Sequence, residues 1–152
     1  MSMTATQNPP GVPAGWVLRP TKAFATLVGP FWCPSGDNAD ALGCGFLADH
    51  RHGNKRGVVH GGMLATAFDV ALGNAGWYAA AQRPCATVNL NVQFIGALKL
   101  GEFAFIQAEI VKATRSMVFL RGTMKVGDRI IATADGVWKI LEWRGEPLVP
   151  AA

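Results

Sequence analysis

Asp69 stands almost alone as an acid in a run of small and apolar residues, eight positions after Gly61 in the glycine pair that follows His60. A carboxylate in a largely apolar helix is costly unless it is paired or used. Two readings of Asp69 follow: a structural acid bonded to a neighbouring strand, or a base or nucleophile. Gly61 and Gly62 let the backbone come close to a ligand, and a helix opening there points free N–H groups outward at its positive end. Such a terminus suits an anion or a developing oxyanion. His60, just before it, reads either as a general acid or as a structural hydrogen-bonding residue.

These groups must be placed by a helix. From about Gly62 to Ala80 the chain has no proline and is rich in alanine, which predicts one long central helix. At helical spacing Gly62, Ala65, Asp69, Gly73, Gly76 and Ala80 form a stripe narrow enough for another backbone to approach. Leu64, Phe68 and Leu72, with Ala67 and Ala71 between them, form a side fit for burial under a sheet. Gly53, Asn54 and Gly57 mark a loop ahead of the helix.

Around the helix the pattern has period two. Leu42 to His50 reads as a first strand, diluted by Gly43 and Gly45. Thr87, Asn89, Asn91 and Gln93 alternate with Val88, Leu90, Val92 and Phe94, which predicts a strand with one polar face. Further strands are expected at Glu102 to Lys112, Ser116 to Val126 (with Val118, Leu120, Met124 and Val126 on one face) and Arg129 to about Trp143. Gly127-Asp128 signals a tight hairpin. In the last strand, Ala132, Ala134 and Gly136 leave room for a helix to lie close. Short links imply antiparallel pairing, so the chain reads as one α+β domain with a helix on one side of the sheet. The other side is a candidate for burial by a second subunit. Thr21 to Val28 suggests a short helix ended by Gly29-Pro30, and Phe31 and Trp32 precede a turn at Pro34-Ser35-Gly36-Asp37. The boundaries expected are an arm at 1–20, the domain at 21–143 and a tail at 144–152.

Composition narrows the function. Half the residues are apolar, 16% are charged and the net charge is +4, enough to favour a small anionic ligand. Scattered basic residues and no recognised motif argue against nucleic acid. Cys33, Cys44 and Cys85 are odd in number with no Cys-x-x-Cys pair, as in reduced thiols of a cytoplasmic protein. No secretory leader is evident, and Asp69 and Asn74 interrupt the longest apolar run, which argues against a membrane span.

Asn54, the run Gly57-Val58-Val59-His60-Gly61-Gly62, Asp69, the strand Val88 to Phe94, and Lys99-Leu100-Gly101-Glu102 together resemble the PaaI-like (phenylacetate-degradation type) hotdog-fold acyl-CoA thioesterases, over roughly Phe24 to Trp143. The resemblance implies a central helix wrapped by an antiparallel sheet of about five to six strands. It implies catalytic roles for four residues. Asp69 would activate water or attack the thioester, and the Gly61 amide would polarise its oxygen. Asn54 would hold the carbonyl or the water, and Thr87 would stand where relatives often carry serine. His60, Gly62 and Arg115 become substrate-binding candidates. It also implies active sites at a homodimer interface, with Asn54 and Gly61 from one subunit and Asp69 and Thr87 from the other. A dimer of dimers, a homotetramer, is the implied assembly, with an acyl-CoA as substrate and no other cofactor. Helix geometry agrees: Gly61 and Asp69 lie about 12 Å apart along the axis, too far for one carbonyl to meet both within a subunit. The alternatives are a hotdog enoyl-CoA hydratase or dehydratase and a non-catalytic acyl-CoA-binding module.

Other residues have types that can do chemistry. His50 and His52 beside Asp49 lack a third well-spaced ligand, so no metal is expected. Lys112, Arg115, Arg121 and Lys125 on the later strands could meet the phosphates of coenzyme A or form a solvated face. No Gly-x-Ser-x-Gly elbow or Walker loop is present.

Overall fold

The computed structural model describes residues 8–35 and 42–142. The beginning of the arm, the Gly36-Asp37 half of the expected turn, and the tail lie outside the described residues. The elements are β1 (Trp16–Arg19), α1 (Ala23–Val28), β2 (Phe31–Pro34), β3 (Gly43–Leu47), a 3-10 turn (His50–His52), α2 (Gly61–Ala79), β4 (Cys85–Phe94), β5 (Phe103–Ala113), β6 (Met117–Val126) and β7 (Arg129–Ile140). All strands pair antiparallel in one sheet of order β1-β2-β3-β5-β6-β7-β4.

The sheet has seven strands, beyond the five to six expected, because β1 and β2 join it. Each is only four residues long and bordered by prolines, so neither carries an alternating pattern to read. Tertiary packing makes them strands. Trp16 and Trp32 both meet the ring of Phe103 edge-on, at centroid distances of 5.1 and 6.1 Å. Gly45 makes room for that ring, because a Cβ there would collide with it.

Helix α2 buries Met63, Leu64, Ala67, Phe68, Ala71, Leu72 and Ala75 against Ile106, Val118, Leu120, Met124 and Ala132 of the sheet. Fully burying a side chain such as Phe68 or Leu72 contributes about 1.5–3 kcal/mol. Gly122 is fitted to this layer: a Cβ there would press on Leu72 at 3.1 Å and Ile106 at 3.2 Å. The hairpin at Gly127, with φ +55°, closes β6 onto β7 as its sequence indicates.

The stripe of small residues on α2 serves a different end from the one expected. Trp138 occupies it. A Cβ at Gly73 would be 3.6 Å from the indole nitrogen, and one at Gly76 would be 3.3 Å from Leu120 and 3.9 Å from Trp138. Gly136 likewise accommodates Trp138, whose ring would be 2.7 Å from a Cβ there. Small residues on both elements thus house one large indole, and Gly136 also admits the close approach of the Asn89 carbonyl of β4.

His50 and His52 lie in the 3-10 turn, not on an extended segment, because Asp49 caps it by accepting from the Arg51 N–H at 2.9 Å. The buried His52 ring accepts from the Asp49 N–H at 3.0 Å through Nδ1, and Nε2 donates to the Val28 carbonyl at 2.6 Å. With both nitrogens engaged, neither is free for a metal. Arg51 pairs with Asp49 and donates to the Leu27 and Gly29 carbonyls, fastening α1 to the body. Hydrogen bonding from Arg51 holds the Asp49 carboxyl below the usual range. The three cysteines are unpaired, and burial pushes the Cys44 thiol up to about 12. Among the described residues no helix is long and apolar enough to cross a membrane.

Candidate active site

The start of α2 is set by His60, whose extended backbone (φ −64°, ψ 138°) makes it the N-cap. Its ring Nδ1 accepts from the Gly62 N–H at 2.9 Å, and its carbonyl accepts from the Met63 N–H at 2.9 Å. His60 and Gly62 are therefore tied to one another. The Gly61 N–H has no acceptor among the described residues. A Cβ at Gly61 would stand 3.3 Å from the Phe94 ring, so the glycine keeps this donor approachable.

Asn54 sits in the loop before the helix, which Gly57 (φ +76°) turns. The Asn54 Oδ1 accepts from the Arg56 N–H at 2.8 Å, and its main-chain N–H donates to the Val58 carbonyl at 2.8 Å. This network orients the side chain, leaving Nδ2 as the outward donor. Asn54 lines a cavity of about 800 Å³ with Gly53, Lys55, Arg56 and His60.

Asp69 lies elsewhere, two turns down α2. The Thr87 hydroxyl donates to its Oδ1 at 2.6 Å, joining two of the predicted residues within one chain. Both line a cavity of about 500 Å³ with Arg19, Gly73, Asn74, Trp77, Pro84, Cys85 and Trp138. The sheet curls far enough for its two edges to contribute, β1 through Arg19 and β4 through Thr87.

Thr87 does not share a face with Asn89, Asn91 and Gln93, as strict alternation would have it. The register opposite β7 slips between Thr87 and Asn89, with Thr87 facing Trp138 and Asn89 facing Val137. Val88 is the extra residue of a β-bulge. The bulge turns Thr87 to the side of Trp138, which faces the helix, and so brings its hydroxyl to Asp69.

One chain thus holds the expected residues in two groups: Asp69 and Thr87 in one cavity, Asn54 and the free Gly61 amide at the helix start. Arg115 belongs to neither cavity; it occupies the exposed β5–β6 turn. Arg121 is paired with Glu109 at 2.8 Å on the outer sheet face, and this bond holds the Glu109 carboxyl below its usual range. The sequence gives no role to Arg19, Lys55 and Arg56 at these cavities, whereas its tryptophans, Trp138 among them, read as packing or acyl-pocket walls. Of those three, only Lys55 and Arg56 carried a signal, as neighbours of Asn54.

Known proteins place this fold. The thioesterase superfamily model matches residues 56–133, the stretch holding the helix start, Asp69 and Thr87. The chain belongs to that superfamily, and its helix-wrapped sheet is the hotdog fold of thioesterases. A protein of Pseudomonas aeruginosa provisionally assigned as an esterase, PA0474, is 32% identical over 131 residues, 85% of this chain and 97% of that protein. The crystal structure of zebrafish thioesterase superfamily member 2 superposes with a TM-score of 0.61 at 28% identity, covering 65% of this chain and 73% of the other. A phenylacetic acid degradation-related protein of Ralstonia eutropha shares the fold at TM-score 0.65 and 22% identity, over 80% and 92% of the two chains. So does a Bacillus halodurans protein solved with CoA, at TM-score 0.59 and 21% identity, over 66% and 67%. The PaaI-like resemblance of the motif thus agrees with the family and the fold.

Proposed function

We propose that this thioesterase hydrolyses acyl-CoA thioesters at sites shared between two copies of the chain. The observation that carries the reading is the Thr87–Asp69 hydrogen bond at the mouth of a cavity. A carboxylate oriented by one hydroxyl keeps lone pairs for a water or for direct attack. The opposing requirement is stabilisation of the tetrahedral oxyanion, for which the free Gly61 amide and the Asn54 Nδ2 are suited. Because these donors stand at the far end of the same helix, a partner's helix start would have to meet Asp69.

The edge of the sheet supports such a partner. Strand β4 is ten residues long and among the described residues pairs on one side only, with β7. It holds no lysine, arginine or proline, and Val88 and Phe94 are each 59% exposed. An uncharged edge of this length needs covering. Pairing β4 with β4 of a second copy would cover it and bring the two groups of residues together.

Lys55 and Arg56, beside Asn54, are placed for the phosphates of coenzyme A better than the paired Arg121. Replacing both with alanine is expected to raise KM about tenfold with kcat little changed, since charge-assisted bonds to exposed groups are partly screened. The difference should shrink as salt is raised, read from initial rates at two ionic strengths.

A free-thiol assay with a panel of aryl- and fatty acyl-CoAs tests the main reading. Thiol release supports it. Water addition to an enoyl-CoA without thiol release would mean a hydratase, and tight binding without turnover a binding module.

A further inference from the structure

We infer that the cavity beside Asp69 takes an acyl group of five or six carbons that ends in a carboxylate, held by Arg19; the inference rests on the thioesterase reading above. The walls carry a surplus of hydrogen-bond donors. The Arg19 guanidinium bonds the Asn74 side-chain oxygen, and no carboxylate lies within ion-pairing distance of it among the described residues. A guanidinium has five N–H donors, so several remain. With its oxygen facing Arg19, Asn74 turns its own amide N–H groups away as further donors. Trp138 is 1% exposed, and its indole nitrogen finds no partner among the described residues. That nitrogen lies beside Gly73, on the same wall.

Acceptors are scarce by comparison. The one carboxylate in the wall, Asp69, is engaged by Thr87 and reserved for the chemistry. A ligand entering this space gains most by bringing acceptor oxygens. A guanidinium fork favours a carboxylate among these, because both oxygens can be bonded at once.

Length follows from the helix. With the thioester at Asp69, Asn74 lies five residues further, about 7.5 Å along the axis. Trp138, beside Gly73, supplies apolar wall between these ends, and Trp77 extends it about one turn past Asn74. A chain of five or six carbons spans that interval, carrying its carboxylate to Arg19 and Asn74.

The test compares the purified protein on adipoyl-CoA and hexanoyl-CoA, equal in length and differing only in the terminal carboxylate. Adipoyl-CoA is expected to be preferred in kcat/KM by about tenfold or more. Arg19→Met should remove the preference by lowering kcat/KM for adipoyl-CoA far more than for hexanoyl-CoA, and Arg19→Lys should restore part of it. Equal or reversed preference in the wild type overturns the inference while leaving the thioesterase reading standing. So does an Arg19→Met loss that is equal on both substrates, which would mark Arg19 as structural. Should Arg19→Met fail to fold, the wild-type comparison alone decides. If neither thioester is hydrolysed, the aryl- and fatty acyl-CoA panel decides the thioesterase reading. Calorimetric binding to the wild type then decides the inference: tighter binding of adipoyl-CoA supports it, equal affinity overturns it.

Discussion

Asp69→Asn will lower kcat for thioester hydrolysis by about a thousandfold or more, the upper part of the range for a positioned general base. The substitution keeps the shape of the side chain and an oxygen for the Thr87 hydroxyl, which now bonds Asp69 at 2.6 Å. It removes only the charge and the basic lone pairs. Asp69 is exposed within the chain, so its loss uncovers no buried partner and the thermal midpoint should stay close to that of the wild type. Thiol release under saturating acyl-CoA measures the effect. A variant retaining a tenth of the wild-type rate would remove Asp69 from the chemistry.

Gly61→Pro probes the other half of the mechanism. Gly61 is the first residue of α2, where proline is well tolerated because the N–H it deletes has no helical partner. His60 ahead of it is already extended, as a residue before proline must be. The substitution therefore deletes one donor with little harm to the helix. If that amide meets the oxyanion, kcat should fall about a hundred- to a thousandfold. Gly61→Ala is the control, since it makes the same close approach to Phe94 but keeps the N–H. Equal losses in both variants would mean that crowding, not the donor, matters. Mixing the Gly61→Pro and Asp69→Asn proteins adds a second readout. Random re-pairing puts both lesions in one site of each heterodimer and leaves its other site intact, so about a quarter of wild-type activity should return. No recovery would place both groups in one subunit.

Much of the architecture was legible because its elements are long and periodic. Helix α2 and strands β5 to β7 lie within a few residues of their expected bounds, and Val118, Leu120 and Met124 face the core as their spacing indicates. Two things were hidden for a shared reason. Strands β1 and β2 exist because aromatic side chains distant in the chain hold them, and four residues are too few to carry a pattern. The bulge at Val88 is set by pairing with β7, and alternation read along one strand cannot reveal a slip against another. Asp69 and the glycine pair stood out because an acid and paired glycines are conspicuous in an apolar helix. Arg19 had no such signal, since only the curl of the sheet brings it to Asn74.

The supernumerary residue in β4 divides that strand into two stretches of opposite phase. Ahead of it, Thr87 serves the acid; beyond it, Leu90 and Val92 anchor the strand to the core while its outer rim stays free. The two duties are thereby uncoupled. Carrying the slip past Thr87, so that Val88 and not Thr87 faced Trp138, would swing the hydroxyl outward and leave the rim as it was. A lineage could separate hydrolysis from mere ligand capture by a one-residue change of register, without touching the acid itself.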